Sequence, residues 1–164
     1  MTVRNNVTRL LDARRIPYTP VEYDPGQFHS AAEVAALIGV APEQVFKTIV
    51  VLREERGRHP LLVIIPAGRE IDLKRLAAAL GDKKLRVAPQ REAESLTRLQ
   101  VGGISALALL DKGFDVCLDR SAERFAEQGM YVSGGQRGLN LRLRPADLLA
   151  LTGGRYADAI GEGA

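Results

Sequence analysis

An α+β domain is the fold the sequence predicts, on three observations. Short β-rich runs and short helical runs are interspersed through the 164 residues, without the regular strand–helix alternation of a doubly wound sheet. No repeat, linker or low-complexity stretch divides the chain. With 46% hydrophobic and 26% charged residues, the composition supports one domain with a sizeable core. That domain is expected over 1–160, followed by a frayed tail at 161–164.

Each element has a local cause. Val3, Val7, Leu10 and Leu11 recur at helical spacing, which predicts an amphipathic helix over 3–14 ended by Pro17. Residues 18–23 read as a short strand before the Pro25-Gly26 turn. Ser30-Ala31-Ala32-Glu33 is a capping-box pattern opening a helix whose expected apolar face is Val34, Leu37 and Ile38, with Gly39 as its C-terminal glycine. Pro42 starts one further turn. Residues 45–53 and 61–66 are β-rich runs joined by a polar stretch and read as a hairpin or neighbouring strands. Asp72 can cap a helix through Leu80, stopped by Gly81. A strand at 85–88 precedes a helix from Pro89 to about Leu96. An apolar segment follows Gly102-Gly103, then a strand at 115–118 and a helix to about Glu127 capped by Asp119 or Ser121. Residues 130–133 and 139–143 read as strands around a glycine-rich turn, and Pro145 opens a last helix ending near Gly153-Gly154.

Composition excludes several classes. A single cysteine, Cys117, rules out an intramolecular disulfide, and its place in an apolar strand reads as buried and inert. The N-terminal stretch lacks the apolar segment of a signal peptide, and no run approaches the ~20 apolar residues that span a membrane. A soluble, cytoplasmic protein with no membrane association is therefore expected. The net charge is +3 and most of the 23 basic residues are arginine, which permits an RNA partner without arguing for one.

The chemical motifs are few. His29 and His59 lie thirty residues apart in expected loops, and no Cys/His pair has ligand spacing, so neither a metal nor another cofactor is expected. A nucleophile elbow, a P-loop and a dinucleotide-binding glycine pattern are all absent. Lys47 stands out because it interrupts an apolar strand, sharing a face with Val45, Ile49 and Val51. Such a lysine either snorkels from a strand end or occupies a partly buried functional site, and the residues alone leave both readings open. Two glycine-rich segments, Val101-Gly102-Gly103-Ile104-Ser105 and Tyr131-Val132-Ser133-Gly134-Gly135-Gln136-Arg137-Gly138, could present backbone N–H groups to a phosphate or an ester oxygen, or could be plain tight turns.

Taken together, these stretches resemble the YbaK/EbsC family of Cys-tRNA(Pro) deacylases. The matching motifs are Val45-Phe46-Lys47-Thr48-Ile49, Ile71-Asp72-Leu73-Lys74, Ala79-Leu80-Gly81 with Lys83-Lys84, and the two glycine-rich segments through Leu139. Shorter matches at 20–24 and 146–148 extend the likeness over most of the chain. The resemblance implies the fold of the editing domain inserted in bacterial prolyl-tRNA synthetases, a mixed, barrel-like sheet with helices packed around it. It implies a trans-editing hydrolase whose functional centre is Lys47, with Tyr23, Thr48, Ser133 and Gly134 shaping the pocket. It places the terminal adenosine and aminoacyl carbonyl against Gly102, Gly103, Ile104, Ser105 and Ala106.

Two positions depart from the family pattern. Ala106 stands where a proline is usual, and Asn140 where Cys-specific members often carry aspartate. The implied partners are a mischarged tRNA and a prolyl-tRNA synthetase. The implied chemistry is attack of the substrate's own thiol on its ester. A deacylase for Ala-tRNA(Pro) or another mischarged tRNA, and a non-catalytic RNA- or nucleotide-binding module, are the alternative readings.

Overall fold

In the computed structural model, residues 4–26 and 29–161 are described, and their strands form two sheets. The first contains β1 (Thr19–Glu22), β6 (Met130–Ser133) and β7 (Leu139–Leu143), all antiparallel, with β7 in the middle. The second runs in the order β4 (Leu85–Val87), β2 (Phe46–Arg53), β3 (Leu61–Pro66), β5 (Asp115–Asp119), β8 (Arg155–Ala157). Its β4–β2–β3 part is antiparallel, and β5 and β8 add in parallel. The mixed sheet is thus present, but it does not close into a barrel. Among the described residues, one parallel bridge, Val45 to Tyr131, ties the two sheets together.

β3 explains why the second sheet is central. All six of its residues are buried. Leu62 and Ile64 face one apolar cluster while Leu61, Val63 and Ile65 face another. This period-two division buries both faces of the sheet, which an all-apolar run requires. The larger cluster fills the space between the two sheets with Phe46, Leu118, Met130, Leu139 and Leu141, and α1 (Asn6–Ala13) closes it with Val7 and Leu11. Fully burying each such side chain stabilises the fold by roughly 1.5–3 kcal/mol.

Local signals set most helix ends. Asn5 accepts the Thr8 N–H while the Thr8 hydroxyl serves the Asn5 N–H, a capping box at the start of α1. Ser30 and Glu33 do the same for α2 (Ala31–Ile38), and Gly39 ends it at φ 73°. Asp72 caps α3 (Leu73–Leu80), which stops at Gly81. α4 (Gln90–Thr97) follows Pro89, and α5 (Pro145–Thr152) begins on Pro145.

Two further expectations are corrected. Leu37 does not join the apolar face of α2 but is 54% exposed; Ala35 is buried instead, against Val45 and Ala67. The segment after Asp119 is a 3-10 helix over 120–125, not an α-helix to Glu127. The strand β8, three residues long, was not expected. Finally, Val3 and most of the expected tail, 162–164, lie outside the described residues. Among the described residues no helix is long and apolar enough to cross a membrane.

Candidate functional site

A cavity of about 610 Å³ opens where the two sheets meet. That size lies inside the roughly 300–1,000 Å³ range of small-molecule sites. One wall is the first half of β2, including Phe46, Lys47, Thr48 and Val50. α2 contributes its N-terminal turn, and the start of α4 contributes Gln90 and Ala93. The lining also includes Gly102 and Ile104 from the loop after α4, Ser133 at the end of β6, Asn140 in β7, and Tyr23 just after β1.

Lys47 is half-buried and pairs in register with Ile65 across the antiparallel ladder. It makes no ion pair or side-chain hydrogen bond among the described residues. Among the described residues it is also the only lysine or arginine in the cavity wall, and Glu70 is the only carboxylate. Of a strongly basic sequence, one amine faces a hollow with largely apolar surroundings. Weak screening there makes that amine act more strongly on a nearby developing charge than it would in water.

The turn after β6 follows Ser133, which lines the cavity. Gly135 and Gly138 take φ of 94° and 91°, a conformation L side chains rarely adopt. A Cβ on Gly134 would meet the Leu139 side chain at 2.6 Å, and the Gly134 N–H donates to the Leu139 carbonyl (2.9 Å). The turn then reaches three neighbours. Asn5 Nδ2 donates to the Gly134 carbonyl (2.8 Å), the Tyr23 N–H donates to the Gly138 carbonyl (3.0 Å), and Arg137 Nε donates to the Val101 carbonyl (2.8 Å). Ser133 Oγ accepts the Gly135 N–H (3.2 Å), which turns its own O–H free to serve a ligand. Asn140 is 6% exposed, yet no described residue hydrogen-bonds its side chain.

The sequence-predicted residues divide into two groups. Tyr23, Lys47, Thr48, Gly102, Ile104, Ser133 and Asn140 line the cavity. Gly103, Ser105 and Gly134 do not. Gly103 packs against the backbone of Gln136 and Arg137, where a Cβ would lie 3.1 Å away. Ser105 is 2% exposed and caps the following 3-10 turn through its Oγ, which accepts the Leu107 N–H (3.2 Å). Gly134 is needed for packing on Leu139. These three hold the walls together from behind.

Four polar residues of the wall were not anticipated there: His29, Ser30, Glu70 and Gln90. His29 stacks edge-on against Tyr23, ring centroids 6.2 Å apart, with Nδ1 3.8 Å from Glu33. Its one sequence signal is position, directly before the Ser30 cap that fixes the start of α2. No group of three or more His, Cys, Asp or Glu among the described residues could hold a metal. Cys117 is buried in β5, and burial pushes its thiol up to about 11. At near-neutral to mildly alkaline pH only a minute fraction is thiolate, the reactive form. Ellman's reagent is therefore expected to leave Cys117 unlabelled in the native protein and to label it fully in denaturant; rapid native labelling would contradict this burial.

Comparison with known proteins follows the same outline. The family described as the aminoacyl-tRNA editing domain matches residues 26–151. An Enterococcus faecalis protein named as a Cys-tRNA(Pro)/Cys-tRNA(Cys) deacylase, EbsC, is 32% identical over 156 residues, covering 94% of this chain and 92% of that protein. The prolyl-tRNA editing protein ProX of Acetoanaerobium sticklandii is 28% identical over 111 residues, 68% of this chain and 66% of its own. Among solved structures, the hypothetical protein APE2540 superposes with a TM-score of 0.82 at 25% identity, over 96% of this chain and 100% of the other.

Proposed function

We propose a function from one premise: this chain belongs to the aminoacyl-tRNA editing domain family. It is an aminoacyl-tRNA deacylase acting in trans on mischarged prolyl-tRNA, and its substrate is Cys-tRNA(Pro). The observation that carries this reading is the amine of Lys47, without an ion-pair or hydrogen-bonding partner among the described residues, in a cavity that Gly102 also lines. The terminal ribose and aminoacyl group occupy that space, and the tRNA body remains outside it.

An aminoacyl ester is already activated, so holding it in a reactive geometry and meeting its developing negative charge supply much of the acceleration. Lys47 orients the ester and stabilises that charge. The Gly102 backbone holds the carbonyl, and Tyr23, Thr48, Ser133 and Asn140 shape the space for the side chain. The nucleophile comes from the substrate. The cysteinyl sulfur bonds to its own carbonyl carbon and the carbon–oxygen bond to ribose breaks. The thiol proton ends on the released ribose oxygen, leaving a cyclic thioester. This route asks for no protein nucleophile, which fits a cavity whose described lining holds no cysteine.

The route has a measurable signature. Cys-tRNA(Pro) is expected to be deacylated more than about tenfold faster than Ala-tRNA(Pro), although alanine is smaller, because only cysteine carries the intramolecular nucleophile. Equal rates on the two substrates would overturn the thiol-assisted step and point to attack by water. Binding of tRNA without ester cleavage would overturn the enzymatic reading altogether.

A further inference from the structure

Val101 stands one residue before Gly102, and its backbone is held on both sides by charged side chains from other elements. Its N–H donates to Glu94 Oε2, on α4, at 2.8 Å. Its carbonyl accepts from Arg137 Nε, on the turn after β6, at 2.8 Å. Hydrogen bonds with an ionised partner are roughly twice as strong as neutral ones. The other acid on α4 that could serve, Glu92, is engaged elsewhere, with Arg86.

The consequence lies in the planarity of the peptide bond. The Val101 carbonyl and the Gly102 N–H belong to one rigid plane and point in opposite directions. Gripping the carbonyl therefore sets where the Gly102 N–H points. Holding the Val101 N–H fixes the preceding plane, so the two contacts together restrict both dihedrals of Val101. The Gly102 N–H itself donates to no protein group among the described residues, whereas the next one, Gly103 N–H, is tied to the Gln100 carbonyl (2.8 Å). Gly102 sits at φ 96°, faces the cavity, and no proline stiffens 101–108, so nothing intrinsic to this segment would hold that N–H in place.

We infer that Glu94 and Arg137 are positioning residues that clamp the Val101 backbone and aim the Gly102 N–H at the ester carbonyl oxygen. The inference rests on the deacylase reading of the cavity. It concerns residues that line no part of the reacting space and act only through Val101.

The test compares Glu94→Ala with Glu94→Gln, whose side-chain oxygen can still accept the Val101 N–H. Two readouts are used: steady-state deacylation of Cys-tRNA(Pro), and amide hydrogen exchange at Gly103. Glu94→Ala is expected to lower kcat about 10- to 100-fold through a misplaced donor. KM should stay within about twofold and Gly103 exchange should quicken; Glu94→Gln should recover most of both changes. A wild-type kcat in Glu94→Ala, or unchanged exchange, would overturn the clamp. So would a glutamine variant as impaired as the alanine one. If the wild-type protein deacylates nothing in the substrate panel, the deacylase reading fails instead, and the exchange arm still decides whether Glu94 restrains the loop.

Discussion

Lys47→Ala is expected to lower kcat/KM for Cys-tRNA(Pro) by about 10²- to 10³-fold, the usual cost of deleting one preorganised electrostatic stabiliser. The fold should survive the change. Lys47 has no ion-pair or hydrogen-bonding partner among the described residues, so truncation strands none of their charges. What is lost is stem packing against the strand, offset in part by relief of a partly desolvated cation. The melting temperature should therefore move by only a few degrees. Lys47→Met, which keeps the stem and deletes the charge, separates the two contributions: it should be as inactive as the alanine variant and at least as stable as wild type. Measured by deacylation and thermal melts on the same preparations, a folded Lys47→Ala enzyme at the wild-type rate would remove Lys47 from the mechanism. A variant that loses activity only because it unfolds would instead make the lysine structural.

What could be read in the sequence is what is decided locally. Ser30 with Glu33, Asp72 and Gly81 satisfy helix-end hydrogen bonds within three or four residues of themselves, so their patterns are visible without the fold. The burial of Leu37 was misjudged because periodicity gives a helix a face but not a neighbour. The neighbour here is the small Val45–Ala67 patch, which selects Ala35. β8 has three residues and exists because β5 offers it an edge. The division into two sheets depends likewise on pairings far apart in sequence, such as Val21 with Asn140. At the cavity, Lys47 was conspicuous because it broke an apolar run. The glycines were conspicuous too, but their type alone does not say whether they face a ligand, as Gly102 does, or admit a packed backbone, as Gly103 does. His29, Glu70 and Gln90 carry no periodic signal, since only the fold brings their loops and helix end together.

β2 holds a second cation, and Arg53→Met is expected to destabilise the fold by about 3–5 kcal/mol, the range for breaking a buried ion pair from one side. The Arg53 side chain is 3% exposed. Its Nε lies 3.2 Å from Asp82 Oδ2, and its terminal nitrogen reaches Asp115 (2.6 Å) and the His59 carbonyl (2.7 Å). Asp82, 2% exposed, already has one oxygen without a hydrogen bond; Arg58 lies 3.7 Å from it, close enough to attract and too far to bond. Removing Arg53 would strand that carboxylate, so the double variant Arg53→Met with Asp82→Leu should recover much of the loss in urea unfolding. If the two single losses simply add in the double variant, the pair is not coupled as described. The contrast with Lys47 is the reason the two variants belong together. Both cations sit on one strand, at opposite ends of it, and sequence alone gives each the same ambiguity. Arg53 is matched by carboxylates from two other segments, so its loss should appear in stability. Lys47 is matched by no carboxylate among the described residues, so its loss should appear in turnover.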